Sequence, residues 1–308
     1  MRRSWWAPLA LGSVLWVAMA GAADAATLVT RGDRFYSYVE YYADPGEKND
    51  ITVTSASGRV TLVDRGVTAI VPSQQALADC VFVLNSVSCR DRGVMTVVGL
   101  DLKDGDDAVT ASRPVSVIGG PGDDAVVGSA FASFRGGPGA DRLGTSSGHF
   151  LYWTDEAGDV RVTTDGVADD GHAGEGDNVA PGAGVSVLGP GRHTLIGDDA
   201  PNDLSVSTGD GSTIAGAGGN DKLSGSAGPD LITGGDGDDD IHGNLGADDL
   251  DGGAGVDFLS GDNDDDVVRA RDGEADELLE CADGVDLLIA DPIDPPNFGG
   301  RCEQVDLG

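Results

Sequence analysis

The chain has 308 residues, 49 of them glycine, about twice the ordinary share of ~7%. Its 53 acidic side chains outnumber 19 basic ones, giving a formal charge of −34 and a pI near 4.1, which excludes nucleic acid and anionic lipid as partners and favours cations. Aromatic residues make up 5% and hydrophobic residues 40%, too apolar for a disordered acidic tail and too poor in large side chains for one conventional core.

Residues 1–25 open with Arg2-Arg3, continue through an apolar run from Trp5 to Met19 and end in Ala23-Asp24-Ala25, a small-x-small site. This is the layout of a cleaved signal peptide, so a secreted, extracellular location is expected. The apolar run is broken by Pro8 and Gly12 and no later segment is long enough to span a bilayer, so no membrane insertion is expected.

Residues 26–100 alternate apolar and polar in YSYVEYY, DITVTS, RVTLVD and VMTVVGL, which predicts short strands forming an N-terminal β cap without a ligand cluster. Cys80 and Cys89 flank VFVLNSVS, two β-prone runs about Asn85-Ser86, and are placed to close a hairpin. From 101 to 144 the phrases LKDGDDAVT, GGPGDDAVV and GGPGADRLG set Asp107, Asp124 and Asp141 at intervals of 17, each followed two residues later by Val109, Val126 or Leu143. The stretches between them, around Val117 and Phe134, have strand character but no aspartate. One edge of a coil carries ligands there and the other is bare.

Gly144-Thr145-Ser146-Ser147-Gly148 matches GxSxG with His149 adjacent. A nucleophile elbow needs a strand before it and a helix after it, whereas HFLYW reads as another strand, so a polar loop is expected. Residues 145–215 read as degenerate coils with an insert at 164–179, whose Asp165, Asp169, Asp170, Glu175 and Asp177 form an oxygen-rich loop without EF-hand spacing. Leu195, Leu204, Ile214 and Leu223 keep a spacing of 9, 10 and 9. The ligand position beside them holds His193, Asn202 and Ser212, as in coils that have lost their metal sites.

Aligned in nines, residues 216–269 read GAGGNDKLS, GSAGPDLIT, GGDGDDDIH, GNLGADDLD, GGAGVDFLS and GDNDDDVVR. Position 6 is always aspartate (Asp221, Asp230, Asp239, Asp248, Asp257, Asp266) and position 8 always aliphatic (Leu223, Ile232, Ile241, Leu250, Leu259, Val268). Glycine permits a tight turn, aspartate supplies a hard oxygen ligand, and the aliphatic residue points inward from a short strand. Two nonapeptides close one coil, so aspartates 18 residues apart stack about 4.8 Å from one another and repel unless a divalent cation lies between them. After Arg269 the register slips by one in GEADELLEC and DGVDLLIAD, where Asp276 and Asp286 take the ligand position. Cys281 and Cys302 flank the proline-rich tail, and a local pairing of all four cysteines as disulfides is favoured over zinc because no CxxC occurs.

The pattern GGxGxDxUx resembles the calcium-binding nonapeptide repeats of the RTX family. The tail from 272 resembles the ends of exported actinobacterial proteins with these repeats. The resemblance implies an all-β parallel β-roll, with small β caps at residues 26–100 and 270–308, acting as one solenoid. It implies calcium at Asp107, Asp124, Asp141, Asp221, Asp230, Asp239, Asp248, Asp257, Asp266, Asp276 and Asp286. Counting one ion per gap between stacked turns gives about four in the six-repeat block and two upstream, about six in all. Residues 216–269 hold 14 acidic and 2 basic side chains, so calcium binding and folding are expected to be one event. The expected role is a monomeric structural or adhesive extracellular module, with a surface or matrix partner and no catalysis. The competing readings are a secreted calcium-dependent hydrolase using Ser146 and an RTX-type toxin relative. HExxH, a long apolar helical region and acylation lysines are all missing, which weighs against a zinc protease or a cytolysin.

Overall fold

The computed structural model describes residues 25–32, 37–72, 80–90, 96–128, 132–145, 150–154, 158–182, 184–276, 278–294 and 302–308. The leader before Ala25 and the Ser146/His149 pair lie outside the described residues. Only strands occur among the described elements, arranged as a parallel β-solenoid of about ten turns. No described helix is long and apolar enough to cross a membrane.

A single glycine-punctuated nonapeptide is too short for anything but a turn and a strand of three to seven residues, and each such strand buries every second side chain. Stacking neighbours in parallel register turns these single buried residues into ladders. Leu204, Leu223, Ile241, Leu259 and Leu279 line up along one face of the interior. Val162, Leu195, Ile214, Ile232, Leu250, Val268 and Leu288 line up along the other. Every one of these is at most 1% exposed. The core is therefore a narrow aliphatic seam running the length of the molecule.

One face is a continuous 13-stranded sheet, while the opposite face is divided between two eight-stranded sheets. The division falls in the 158–182 loop. Its strand Arg161–Thr163 joins the later sheet through His193–Ile196, and Asn178–Val179 folds back onto Arg142–Thr145 of the earlier one.

The N-terminal region supplies both a coil and a cap. Ser37–Tyr42 pairs in parallel with Thr96–Asp101, and Asp50–Ala56 with Ala108–Ala111, so these two strands form a turn of the roll itself. The antiparallel strands Arg59–Asp64, Ser86–Arg90 and Cys80–Val83 then extend the short sheet outward. Cys80 and Cys89 face each other in register and are disulfide-bonded. At the far end Gln304–Asp306 pairs with Leu287–Ala290, tied by the Cys281–Cys302 disulfide and by Arg271, whose guanidinium donates to the Asp306 carbonyl at 2.7 Å. Both expected pairings are present, and both cover coil ends that would otherwise offer unpaired strand edges.

Candidate metal centre

Because every roll strand of the long sheet runs in the same direction, all turns leaving those strands lie on one edge and all turns returning to them lie on the other. The leaving edge carries Asn49, Asp107, Asp124, Asp141 and Asp177, then His193 and Ser212, then Asp230, Asp248, Asp266 and Asp286. The returning edge carries Asn202, Asp221, Asp239, Asp257, Asp276 and Asp294. The upstream aspartates and half of those in the repeats thus share one edge. All the ladder aspartates are buried.

Each rung has the same construction. The backbone N–H of Asp221 donates to Oδ1 of Asp239 at 2.8 Å, that of Asp239 to Asp257 at 2.9 Å, and that of Asp257 to Asp276 at 2.9 Å. On the leaving edge Asp230 donates to Asp248, Asp248 to Asp266 and Asp266 to Asp286 at 2.8 to 2.9 Å. Upstream, Asp107 donates to Asp124, Asp124 to Asp141 and Asp141 to Asp177 at 2.8 to 2.9 Å. One carboxylate oxygen per coil is thereby spent on holding the coil before it.

The other oxygen is not. Oδ2 of Asp107, Asp124, Asp141, Asp221, Asp239, Asp248, Asp266, Asp276 and Asp286 is buried without a hydrogen-bond partner. An oxygen left in this condition costs about 1–3 kcal/mol, and more when charged. At Asp124, Asp141, Asp221, Asp239, Asp248 and Asp266 it faces the glycine that opens its own turn, and at Asp124, Asp221, Asp239 and Asp248 the carbonyl of the next turn as well. A Cβ added to Gly216 would lie 2.1 Å from Asp221 Oδ2 and 2.7 Å from the Gly234 carbonyl oxygen, and one added to Gly234 would lie 2.1 Å from Asp239 Oδ2 and 2.3 Å from the Gly252 oxygen. Glycine at position 1 thus leaves open a space lined by a carboxylate oxygen and a carbonyl oxygen. A hard divalent cation with oxygen coordination fits that donor set. No three His, Cys, Asp or Glu side chains form a metal-holding group among the described residues. A cation here would draw on carboxylates from successive coils together with turn carbonyls.

Burial sets the electrostatics. It pushes the carboxyls of Asp221, Asp239, Asp248 and Asp257 up to about 6, those of Asp266 and Asp276 to about 7, and that of Asp286 upward. Upstream, desolvation raises Asp107 to about 6, Asp124 and Asp177 to about 7 and Asp141 to about 8, with neighbouring carboxylates adding to the rise. Backbone N–H donors oppose these shifts without cancelling them.

Several positions depart from the pattern in ways that identify what they do. Asp230 begins its run under Ser212, whose hydroxyl donates to Oδ1 at 2.6 Å, and its Oδ2 accepts the Ser226 N–H at 2.6 Å. His193 replaces the carboxylate with a ring nitrogen, Nδ1, which accepts the Val160 N–H at 3.3 Å. Asn202 caps the returning edge, donating its N–H to Asp221 Oδ1 at 2.8 Å. Within the 164–179 insert only Asp177 joins a ladder. Both oxygens of Asp170 are taken by the N–H groups of Thr163 and Val179, Asp169 pairs with Arg161, and Asp165 accepts from Val167 N–H.

Four ladder positions escaped the sequence reading. Asp177 and Asn49 carry the same signature, a ligand-type residue two before an aliphatic one (Val179, Ile51), but stand apart from any nonapeptide. Glu303 accepts the Asp286 N–H at 3.1 Å, and Asp294 closes the returning edge beneath Asp276 at 3.1 Å.

Residues 215–250 and 242–274 match the RTX calcium-binding nonapeptide repeat (4 copies). No curated protein matches the chain.

Proposed function

We propose, from a β-roll that carries RTX calcium-binding nonapeptide repeats, that the chain is a secreted module whose calcium binding and folding are one process. It serves a structural or adhesive purpose outside the cell, without catalysis. The observation that carries this reading is the divided use of the ladder carboxylates, Oδ1 spent on the preceding coil and, in nine of them, Oδ2 buried and unpartnered. Besides the closing rung from Asp276 to Asp294, nine rungs join one ladder aspartate to the next. Assigning one ion to each gap raises the count above the about six expected from the sequence, because Asp177, Asp276 and Asp286 each close one further gap. Two disulfides and an apolar leader of signal-peptide layout support export.

Far-UV circular dichroism during a calcium titration, with magnesium as control, tests the reading. A cooperative rise of β signal with calcium but not magnesium is expected. A chain already β-rich in chelator and indifferent to calcium would overturn it.

A further inference from the structure

The leaving edge does more than carry carboxylates. On the returning edge, position 2 of the turns is Ala217, Gly235 and Gly253, with little or no side chain. On the leaving edge the same position holds Ser226, Asn244 and Asp262. Asn244 and Asp262 adopt φ of 78° and 71°, a left-handed backbone that glycine would accept without strain.

These residues raise a wall along the outer surface of the long sheet, and between wall and sheet lies a groove of about 680 Å³. Its floor presents Ser205, Ser224 and His242 from successive coils, a run of roughly 10–15 Å at the strand spacing. Asn244 Nδ2 donates to Ser224 Oγ at 3.0 Å, and Ser260 Oγ donates to Asp262 Oδ1 at 2.9 Å. The His242 ring lies 3.3 Å from both Asp240 and Asp262 and 5.2 Å from the Phe258 ring. Leu245 is 48% exposed on the wall. The lining therefore alternates hydroxyl, amide, imidazole and carboxylate groups with small apolar surfaces. It contains no lysine or arginine.

We propose that this groove binds a neutral saccharide chain. Ring hydroxyls need donors and acceptors in close alternation, and sugar C–H faces need apolar surface, both of which the groove supplies at a volume normal for a small-ligand site. Asp262 and the charge of −34 repel acidic polymers. The proposal rests on the adhesive reading and gives it a ligand class. Because Ser226, Asn244 and Asp262 belong to the turns that end in Asp230, Asp248 and Asp266, the wall is assembled by the same turns that hold the carboxylate ladder.

Isothermal titration calorimetry of the intact chain in saturating calcium tests this, with cellohexaose, maltohexaose, mannohexaose and N-acetylchitohexaose as neutral probes and hexagalacturonate as the acidic one. Binding of at least one neutral hexaose is expected, weakened tenfold or more in both His242→Ala and Asn263→Ala, the latter in the groove lining on the coil after Leu245, and unchanged in Thr233→Ala on the opposite face, with circular dichroism unaltered. Absence of neutral hexaose binding by the calcium-folded chain overturns the groove and leaves calcium-coupled folding intact. Stronger binding of hexagalacturonate, or binding indifferent to both groove variants, overturns it too. Equal folding and equal hexaose binding in chelator would instead remove the calcium reading and keep the groove.

Discussion

The roll upstream of the 158–182 loop and the roll downstream of it are built by the same rule with different inventories. Upstream, aspartates stand on one edge only, and the interior holds Tyr41 and Phe134 beside its valines and leucines. Downstream, both edges are laddered and the seam among the described residues is aliphatic apart from Cys281. Larger buried side chains and an antiparallel cap give the upstream half more apolar burial for each carboxylate it must neutralise. Hydrophobic burial and cation binding are interchangeable sources of stability, and the two halves draw on them in different proportions.

The largest test of that contrast is complete removal of calcium. Hydrogen exchange should show amides of residues 215–290 losing protection together while those of Ile51, Val109 and Val126 keep theirs. Uniform loss along the chain would mean that the halves do not differ. Next in size, Ile241→Ala should destabilise the calcium-loaded chain by about 2–5 kcal/mol in chemical denaturation, since the seam cannot collapse around the hole without shifting coils on both sides. Breaking Cys281–Cys302 by Cys302→Ser frees a loop of 21 residues and should cost about 3 kcal/mol, felt by the downstream half first.

The pH dependence has an unusual sign. Burial raises the ladder carboxyls above the unfolded value of about 3.9, so in calcium-free buffer their contribution is fully present below pH ~4 and is lost as pH rises through about 6 for Asp239 and about 8 for Asp141. Thermal melts without calcium should therefore fall between pH 4 and 8. With calcium the trend should reverse, because protons compete for the same oxygens. The smallest effect expected is the most discriminating. Asp177→Asn should lower the calcium stoichiometry by one in equilibrium dialysis, whereas Asp170→Asn, whose oxygens are both engaged by N–H groups, should leave it unchanged.

The nonapeptides made the downstream half legible almost residue by residue, because turn, ligand and core recur at a fixed spacing. Asp177 was hidden by distance: its rung reaches Asp141 across 36 residues, and no period survives such an insert. Asn49 was hidden in the same way by the hairpins between Ala56 and Thr96. That Asp124 and Asp248 share an edge depends on the long sheet continuing in one direction past the loop, which follows from pairing and not from spacing. The groove was invisible for a different reason. Ser226, Asn244 and Asp262 stand 18 residues apart, and only the stacking of the coils sets them side by side.

The rungs also have a polarity. In each, the N–H belongs to the earlier coil and the carboxylate to the later one, so every turn is completed by chain that follows it. Clipping coils from the C-terminal end would strip the new last turn of its acceptor and leave a peptide N–H exposed at a raw end. Clipping from the N-terminal end would free the carboxylate and, beside it, an N–H that had donated to the lost coil, as Asp240 does to the Asp221 carbonyl at 2.8 Å. The two raw ends therefore differ in kind: trimming from the tail bares the N–H of a ladder aspartate, and trimming from the start bares its carboxylate, the group that takes up protons or cations.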